Sequence, residues 1–585
     1  MTNKTTRRSF LKASAIGTIA ARTPALAAKS LSASSTGSGW KLGSFSPRGS
    51  RRIVYVSDPS SIARRYLPDP VSEADLRNWV DELAKAEVDT FVQEAYTQGW
   101  TTYWRCERFE YDQRPQHRRF LPLLNAGTQP LEVLVDQSHR RGMEFLAGIR
   151  VNDNHGHISL KQGVGGGARF LLDNPQWALK DFPPGAYYKL STPLDFTFPE
   201  VRNYVFSVAQ ELISRFEVDG LELCFRDHQY FPVGKGRRSQ SLMTELVERI
   251  HNALQRRSAS RKKPLLLGAR VYQTLEECHE MGLDVPAWIS QKLIAYVAPG
   301  DVMYSDLNAP YDEFAKLCRA SDCLLYPAIL PWSSIRMRRR FAGMPISLDQ
   351  QRALAQNFYG AGADGISSYN HFVPLQWAPF YPMMLQDLRE LRDSARVAQG
   401  RRHYVFEPIW GGSTGFGADR TSTGAVKADR IVLQRKGPGA SGRYRFRICE
   451  DLAKARRASL LFRGFNLAID DRLKVGLNGK EILPQAIKHF GNRGEKYRAE
   501  AEFALRPFEE EGRLDMAAPV DPTSRASAGE PPVPEAPGPF STCWFELTSP
   551  PAVYGDNYLE VTLASSAPQA SQDIGIDEIE VFVFS

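Results

Sequence analysis

Two stretches of the 585-residue chain place titratable and hydrogen-bonding side chains immediately after apolar runs. One is Arg150-Val151-Asn152-Asp153-Asn154-His155-Gly156-His157, denser in donors, acceptors and acids than an ordinary turn needs. The other runs from Asp219 to His228. Strand alternation there puts Glu222, Cys224 and Arg226 on one face and Leu221, Leu223 and Phe225 on the other. If the polar face looks into a closed sheet, its carboxylate must be paired or functional, because a bare buried charge is costly. Glu222 is therefore either a proton-transfer group or the ion-pair partner of Arg150, Arg226 or Arg270, and both alternatives stand at this point.

Positioning such groups requires a scaffold. From Arg51 to about residue 395, short β-branched or aromatic runs alternate with helical periodicity, which implies a parallel sheet with crossover helices. The runs are Ile53–Ser57, Asp89–Tyr96, Glu144–Arg150, Asp219–Phe225, Leu265–Tyr272, Ala295–Ala298, Cys323–Pro327 and Asp364–Tyr369. Eight strands fit a closed (β/α)8 barrel, whose chemistry sits at the carboxyl ends of the strands. An open doubly wound sheet is the runner-up, but no Gly-rich dinucleotide fingerprint follows the first strand. Helical patterns fall at Ser72–Ala86, Glu200–Phe216, Ser239–Ser258 and Leu348–Tyr359, the first opening on Ser72-Glu-Ala-Asp75 in the manner of an N-terminal cap. Beyond residue 400 the period becomes two, as in Arg443–Ile448, Ser459–Phe462 and Arg472–Leu477, which argues for antiparallel strands.

Val218–Arg226, the Arg-x-Asn-Asp-x-His run at 150–155 and Gly282–Trp288 together resemble secreted glycoside-hydrolase-like barrels, similar in outline to family 10-like glycosidases. The resemblance spans residues 50–380 and implies a carbohydrate substrate and an O-glycosyl hydrolase. Asn478-Gly479-Lys480 and Gly555–Leu563 resemble the turn and late strand of galactose-binding-like jelly rolls, which extends the expected fold to a β-sandwich over 399–585. A glycosidase needs two carboxyls across a sugar-sized gap. Glu222 is the first choice and Asp153, on the adjoining strand end, the second; Glu94, Asp227 and Asp306 are further candidates. Glu94, Arg150, Asn152, His155, Arg226, His228, Arg270, Tyr326, Asn370 and His371 would bind substrate, with Trp100, Trp104, Tyr272, Tyr326, Tyr369 and Trp377 as stacking surfaces. Three arginines in one cavity point to a uronate- or sulfate-bearing glycan.

The pattern departs from known hydrolases in two places. Laying the family 18 chitinase motif Asp-x-x-Asp-x-Asp-x-Glu over the fourth strand puts Asp219, Glu222, Cys224 and Arg226 in its four places, so the last acid has become Arg226. The seventh strand ends Tyr326-Pro327-Ala328 without a carboxylate. A barrel that binds glycan without cleaving it is the alternative these departures motivate.

The N-terminus, with Arg7-Arg8-Ser9-Phe10-Leu11-Lys12 before a mildly apolar stretch and Ala25-Leu26-Ala27, resembles a twin-arginine signal peptide. Residues 1–27 are read as that peptide, 28–50 as a flexible linker and 51–398 as the barrel, with Glu509–Pro539 as a Pro-rich surface loop in the sandwich. Export to the periplasm or beyond follows from this reading. Without the peptide the net charge falls from +8 by five positives to +3, too little to suggest nucleic acid. Seven scattered cysteines give no disulfide framework and no zinc spacing, although Cys318 and Cys323 could pair outside the cytoplasm. No metal or cofactor motif and no membrane span are expected.

Overall fold

The computed structural model describes residues 42–43, 46–96, 98–152, 168–180, 193–225, 229–300, 305–330, 346–369, 383–406, 431–436, 439–491 and 540–585. The signal-peptide reading and the 509–539 loop lie outside these residues.

Nine strands form one parallel sheet: β1 (Ile53–Ser57), β2 (Thr90–Tyr96), β3 (Glu144–Arg150), β4 (Gly220–Cys224), β5 (Leu266–Val271), β6 (Tyr296–Pro299), β7 (Leu324–Leu325), β8 (Ala328–Ile329) and β9 (Ile366–Tyr369). Their order is β7-β6-β5-β4-β3-β2-β1-β9-β8. Because β7 and β8 are separated only by Tyr326-Pro327, they are two halves of one strand, and the sheet closes into a (β/α)8 barrel. Pro327 explains the break, since it has no N–H to give the ladder. Its carbonyl still accepts from Ser367 N–H at 3.0 Å, and Tyr326 N–H donates to Val297 at 2.9 Å, so the ring is continuous across the gap.

All four expected helices form, as Glu73–Lys85, Pro199–Arg215, Gly236–Arg261 and Leu348–Gly360. Ser72 and Asp75 make a reciprocal capping box, which satisfies two backbone donors at the helix start. The inner face of the barrel is apolar over Val54, Val56, Val92, Leu146, Ala298, Tyr326, Ala328 and Leu330. One row across it is different. Register pairs Glu94 with Gly148, Gly148 with Glu222, Glu222 with Gly268 and Gly268 with Tyr296. A Cβ at Gly148 would stand 3.0 Å from Glu94 Cα, and one at Gly268 would meet the Tyr296 ring at 2.1 Å. The two glycines leave the volume through which large polar side chains cross the barrel.

After residue 400 the strands are antiparallel. β10 (Arg402–Phe406), β13 (Arg457–Phe465), β16 (Lys488–Gly491), β17 (Phe540–Glu546) and β19 (Ile574–Phe584) run in the order β10-β19-β13-β17-β16, with β11 (Ile431–Leu433) on β19. A second sheet has the order β12-β18-β14-β15, from β12 (Ser441–Ile448), β14 (Arg472–Leu477), β15 (Lys480–Ile482) and β18 (Gly555–Ser565). Phe406 of the first sheet meets Phe446 of the second at 5.6 Å between ring centres. Asn478 (φ 51°) and Gly479 (φ 78°) make the β14–β15 turn, both in the left-handed region the Asn-Gly pair tolerates. Asn357 stitches these strands to the barrel by donating to Arg447 O at 2.9 Å and accepting from Cys449 N–H at 2.8 Å. Among the described residues no helix is long and apolar enough to cross a membrane.

Candidate active site

One polar cluster is assembled from four neighbouring strand ends. Asp58 follows β1 and caps the helix Pro59–Arg65, its Oδ1 accepting from Ser60 N–H at 2.8 Å. Glu94 lies near the end of β2, Arg150 ends β3 and Tyr369 ends β9. Arg150 Nε donates to Glu94 Oε2 at 2.7 Å, while Nη2 donates to Asp58 Oδ2 at 3.3 Å and to the Tyr369 hydroxyl. That hydroxyl donates to Glu94 Oε2 at 3.2 Å. All four side chains are buried.

A second cluster surrounds Glu222. Arg270 Nε donates to Oε1 at 3.0 Å, its Nη2 reaches Oε2 at 3.4 Å, and the Tyr296 hydroxyl donates to Oε2 at 2.7 Å. Arg270 also donates to Ser367 Oγ, and its Nη1 is buried without an acceptor among the described residues. Burial, followed by the adjacent Glu222 charge, pushes the Tyr296 phenol well above its ordinary range, so it remains a donor. Glu222 is 1 % exposed and Arg270 fully buried. The Tyr369 ring joins the clusters, with the Arg150 guanidinium 5.6 Å and that of Arg270 5.7 Å from its centre. Cations over a ring face interact favourably with its quadrupole, so both guanidiniums help to hold Tyr369.

The expectation that the β4 polar face looks into the barrel agrees with this geometry, and of the two alternatives for Glu222 the structure shows the ion pair with Arg270. Both Glu222 oxygens are engaged, by Arg270 and Tyr296, in the same register row that holds Glu94. Asn152 is also reassigned. Its Nδ2 donates to Leu194 O at 3.0 Å and Gln229 O at 2.6 Å, and its Oδ1 accepts from Leu194 N–H at 2.9 Å, so it ties three chain segments together. Tyr326 turns toward the amino end of the barrel, its hydroxyl donating to Arg51 O at 3.4 Å, away from any substrate at the carboxyl ends. Arg150 and Arg270 are both paired with carboxylates, and Arg226, the third arginine of the acidic-sugar expectation, lies outside the described residues.

Trp100, Trp104, Tyr272 and Tyr369, expected as stacking surfaces, are at most 2 % exposed. Trp100 packs edge-on against Tyr96 at 6.0 Å, and Trp104 against Phe109 and Phe216. Asp153, His155, Arg226, Asp227, His228, Asn370, His371 and Trp377 lie outside the described residues. Asp306 is described, and its Oδ1 accepts from Asn308 N–H at 2.8 Å as a turn residue does. Asp58, Tyr296 and Ser367, which accepts from Arg270, escaped sequence reasoning. Asp58 directly follows β1, so the strand-end rule would have found it if applied to every strand. Tyr296 carries no local mark, because only the register to Gly268 brings it to Glu222.

A family described as glycosyl hydrolase-like 10 matches residues 52–258, the part of the chain that carries β1 to β4 and the helix after β4. No curated protein sequence matches. Among solved structures, the glycoside hydrolase domain of PgaB (BpsB) from Bordetella bronchiseptica is 13% identical with a TM-score of 0.39, covering 59% of this chain and 99% of that domain. Alpha-L-fucosidase isoenzyme 2 from Paenibacillus thiaminolyticus is 12% identical with a TM-score of 0.38 over 61% of this chain, which spans about half (51%) of that protein. An alpha-amylase from Geobacillus thermoleovorans, complexed with acarbose, is 12% identical with a TM-score of 0.36, covering 75% of this chain and 92% of that one. At such identities and scores these are similarities of outline, and no ligand transfers from them.

Proposed function

We propose that the protein is a glycoside hydrolase exported through the twin-arginine route, with Glu94 as the carboxylate at its reacting centre. The observation that supports this reading is the convergence of Asp58, Glu94, Arg150 and Tyr369 from four adjacent strand ends at the carboxyl side of the barrel, where (β/α)8 enzymes do their chemistry. Arg150 and Tyr369 fix one oxygen of Glu94. Asp153, three residues beyond the end of β3 in sequence, is the proposed second carboxyl. The substrate is proposed to be a neutral polysaccharide or oligosaccharide, since Arg150 and Arg270 each already face a carboxylate of the protein.

The test is a comparison on a panel of defined oligosaccharides with the purified mature protein. Glu94→Gln is expected to lower kcat/KM by about 10²–10⁴-fold, the usual worth of a proton-transfer group. An active Glu94→Gln protein would remove Glu94 from the chemistry. The second reading is a barrel that binds glycan without cleaving it, favoured by the engagement of both Glu222 oxygens. Saturable binding with no product from any panel member would establish it.

A further inference from the structure

The amino end of the barrel carries a pair of thiols that neither reading of the carboxyl end uses. Cys318 lies in the last turn of the helix Tyr311–Arg319, and Cys323 immediately precedes β7. The chain between them is folded tightly: Ser321 N–H donates to Cys318 O at 3.1 Å, and Cys323 N–H donates to Ser321 Oγ at 3.1 Å. One guanidinium spans the turn from outside. Arg48 Nη1 donates to Cys318 O at 3.1 Å and to Ser321 O at 3.0 Å, while Nη2 donates to Cys323 O at 2.6 Å and to the Asp364 carboxylate at 2.9 Å. Two carbonyls held by neighbouring nitrogens of one planar group must be close together, and so must the residues that own them. The thiols are near enough to influence each other, the Cys318 side chain being the largest of the effects that raise the Cys323 thiol. Both residues are buried and both are free thiols.

We infer that Cys318 and Cys323 are a disulfide site, closed when the folded protein meets an oxidising disulfide compound, and that the bond locks the helix Tyr311–Arg319 to the start of β7. In the reaction one thiol loses its proton and its sulfur attacks the oxidant's disulfide, releasing one half of the oxidant as a thiol. The second cysteine sulfur then attacks the mixed disulfide and releases the other half. Two S–H bonds are replaced by one S–S bond, and the oxidant's disulfide is reduced to two thiols. The Cys318 side chain, and then burial, raises the Cys323 thiol well above its ordinary value, so the exchange is slow in the closed fold. The consequence is mechanical. β7 is the half-strand that joins β6, and its partner half β8 joins β9, so the lock sits where the ring is interrupted. The site does not depend on the hydrolase proposal.

Trypsin provides a direct assay, because cleavage after Lys316, Arg319 and Arg336 places the cysteines on separate peptides, Leu317–Arg319 and Ala320–Arg336. Folded protein would be incubated with glutathione disulfide, its remaining thiols alkylated, and the digest analysed without reduction. The expected result is a single linked species two hydrogens lighter than the sum of the two peptides, with Cys106, Cys224, Cys278, Cys449 and Cys543 recovered alkylated. Recovery of both peptides as alkylated thiols would overturn the inference. So would a link that forms only after unfolding in denaturant, since the folded turn would then not be its cause. The oxidised protein is further expected to melt about 1–3 °C above the reduced form. Cys323→Ser should abolish that difference, and its persistence in the variant would count against the site.

Discussion

Glu222 in the barrel and Glu580 in the six-stranded sheet are both glutamates on the face of a strand, and both are almost wholly buried. Glu580 Oε1 accepts from Arg463 Nη1 and Oε2 meets His403 Nε2 at 2.6 Å, just as Glu222 meets Arg270 and Tyr296. In each case the donors come from strands of the same sheet. Burial alone would push the Glu580 carboxyl up, but the Arg463 and His403 charges and hydrogen bonds outweigh it and hold the group well below the ordinary carboxylate range. Glu94 differs in its setting, because its partners Arg150 and Tyr369 end their strands and Arg150 also reaches Asp58, which caps a helix leaving the barrel mouth. An inward carboxylate is thus no sign of catalysis by itself. What separates the two kinds is whether the donors tie it into the sheet or gather it at the rim.

The largest expected effect that would break this contrast is catalytic. On any glycan the wild type cleaves, Glu94→Gln should lose about 10²–10⁴-fold in kcat/KM. Glu222→Gln should lose far less once its fraction folded is accounted for, and equal losses would put Glu222 back among the reacting groups. Next comes stability. Arg270→Met leaves Glu222 buried without its cation and should cost about 3–5 kcal/mol in urea unfolding, whereas the double change Glu222→Met with Arg270→Met should cost less than Arg270→Met alone. A double variant worse than the single one would show that Glu222 does more than balance Arg270. Gly268→Ala should follow, at about 1–3 kcal/mol, because its Cβ would overlap the Tyr296 ring and drive the phenol off Glu222. Wild-type stability in Gly268→Ala would mean that the Tyr296 contact contributes little.

These distinctions were legible to different degrees before the fold was known. Alternation within β4 placed Glu222 on the face that looks into the barrel because a period of two is a local property of an extended chain. The eight strands were legible for the same reason, as was the Asn478-Gly479 turn. What pairs with Glu222 was not, since Gly148, Gly268 and Tyr296 reach it through register between strands far apart in sequence. Asn152 looked like a ligand-binding amide because the loop around it is polar, yet its partners are backbone groups of Leu194 and Gln229, again non-local. The seventh strand read as a single run because Pro327 signals a break without saying that the chain resumes two residues later.

The smallest expected effect concerns acid. Asp219 begins the turn into β4, and its Oδ2 accepts from Phe145 N–H and meets His139 Nε2, both at 2.9 Å, while Lys263 pairs with Oδ1. Burial alone would raise this carboxyl, but the His139, Lys263 and Phe145 hydrogen bonds outweigh it and draw the group down to about 2. A carboxyl depressed in the folded state contributes stability that is fully present above its unfolded value, near pH 4, and is lost as pH falls toward 2. The shift corresponds to roughly 2 kcal/mol. Asp219→Asn should therefore be less stable than wild type at pH 7, and the difference should shrink between pH 4 and pH 2 in urea midpoints. A constant difference across that window would mean that the ionised form of Asp219 is not what anchors β4.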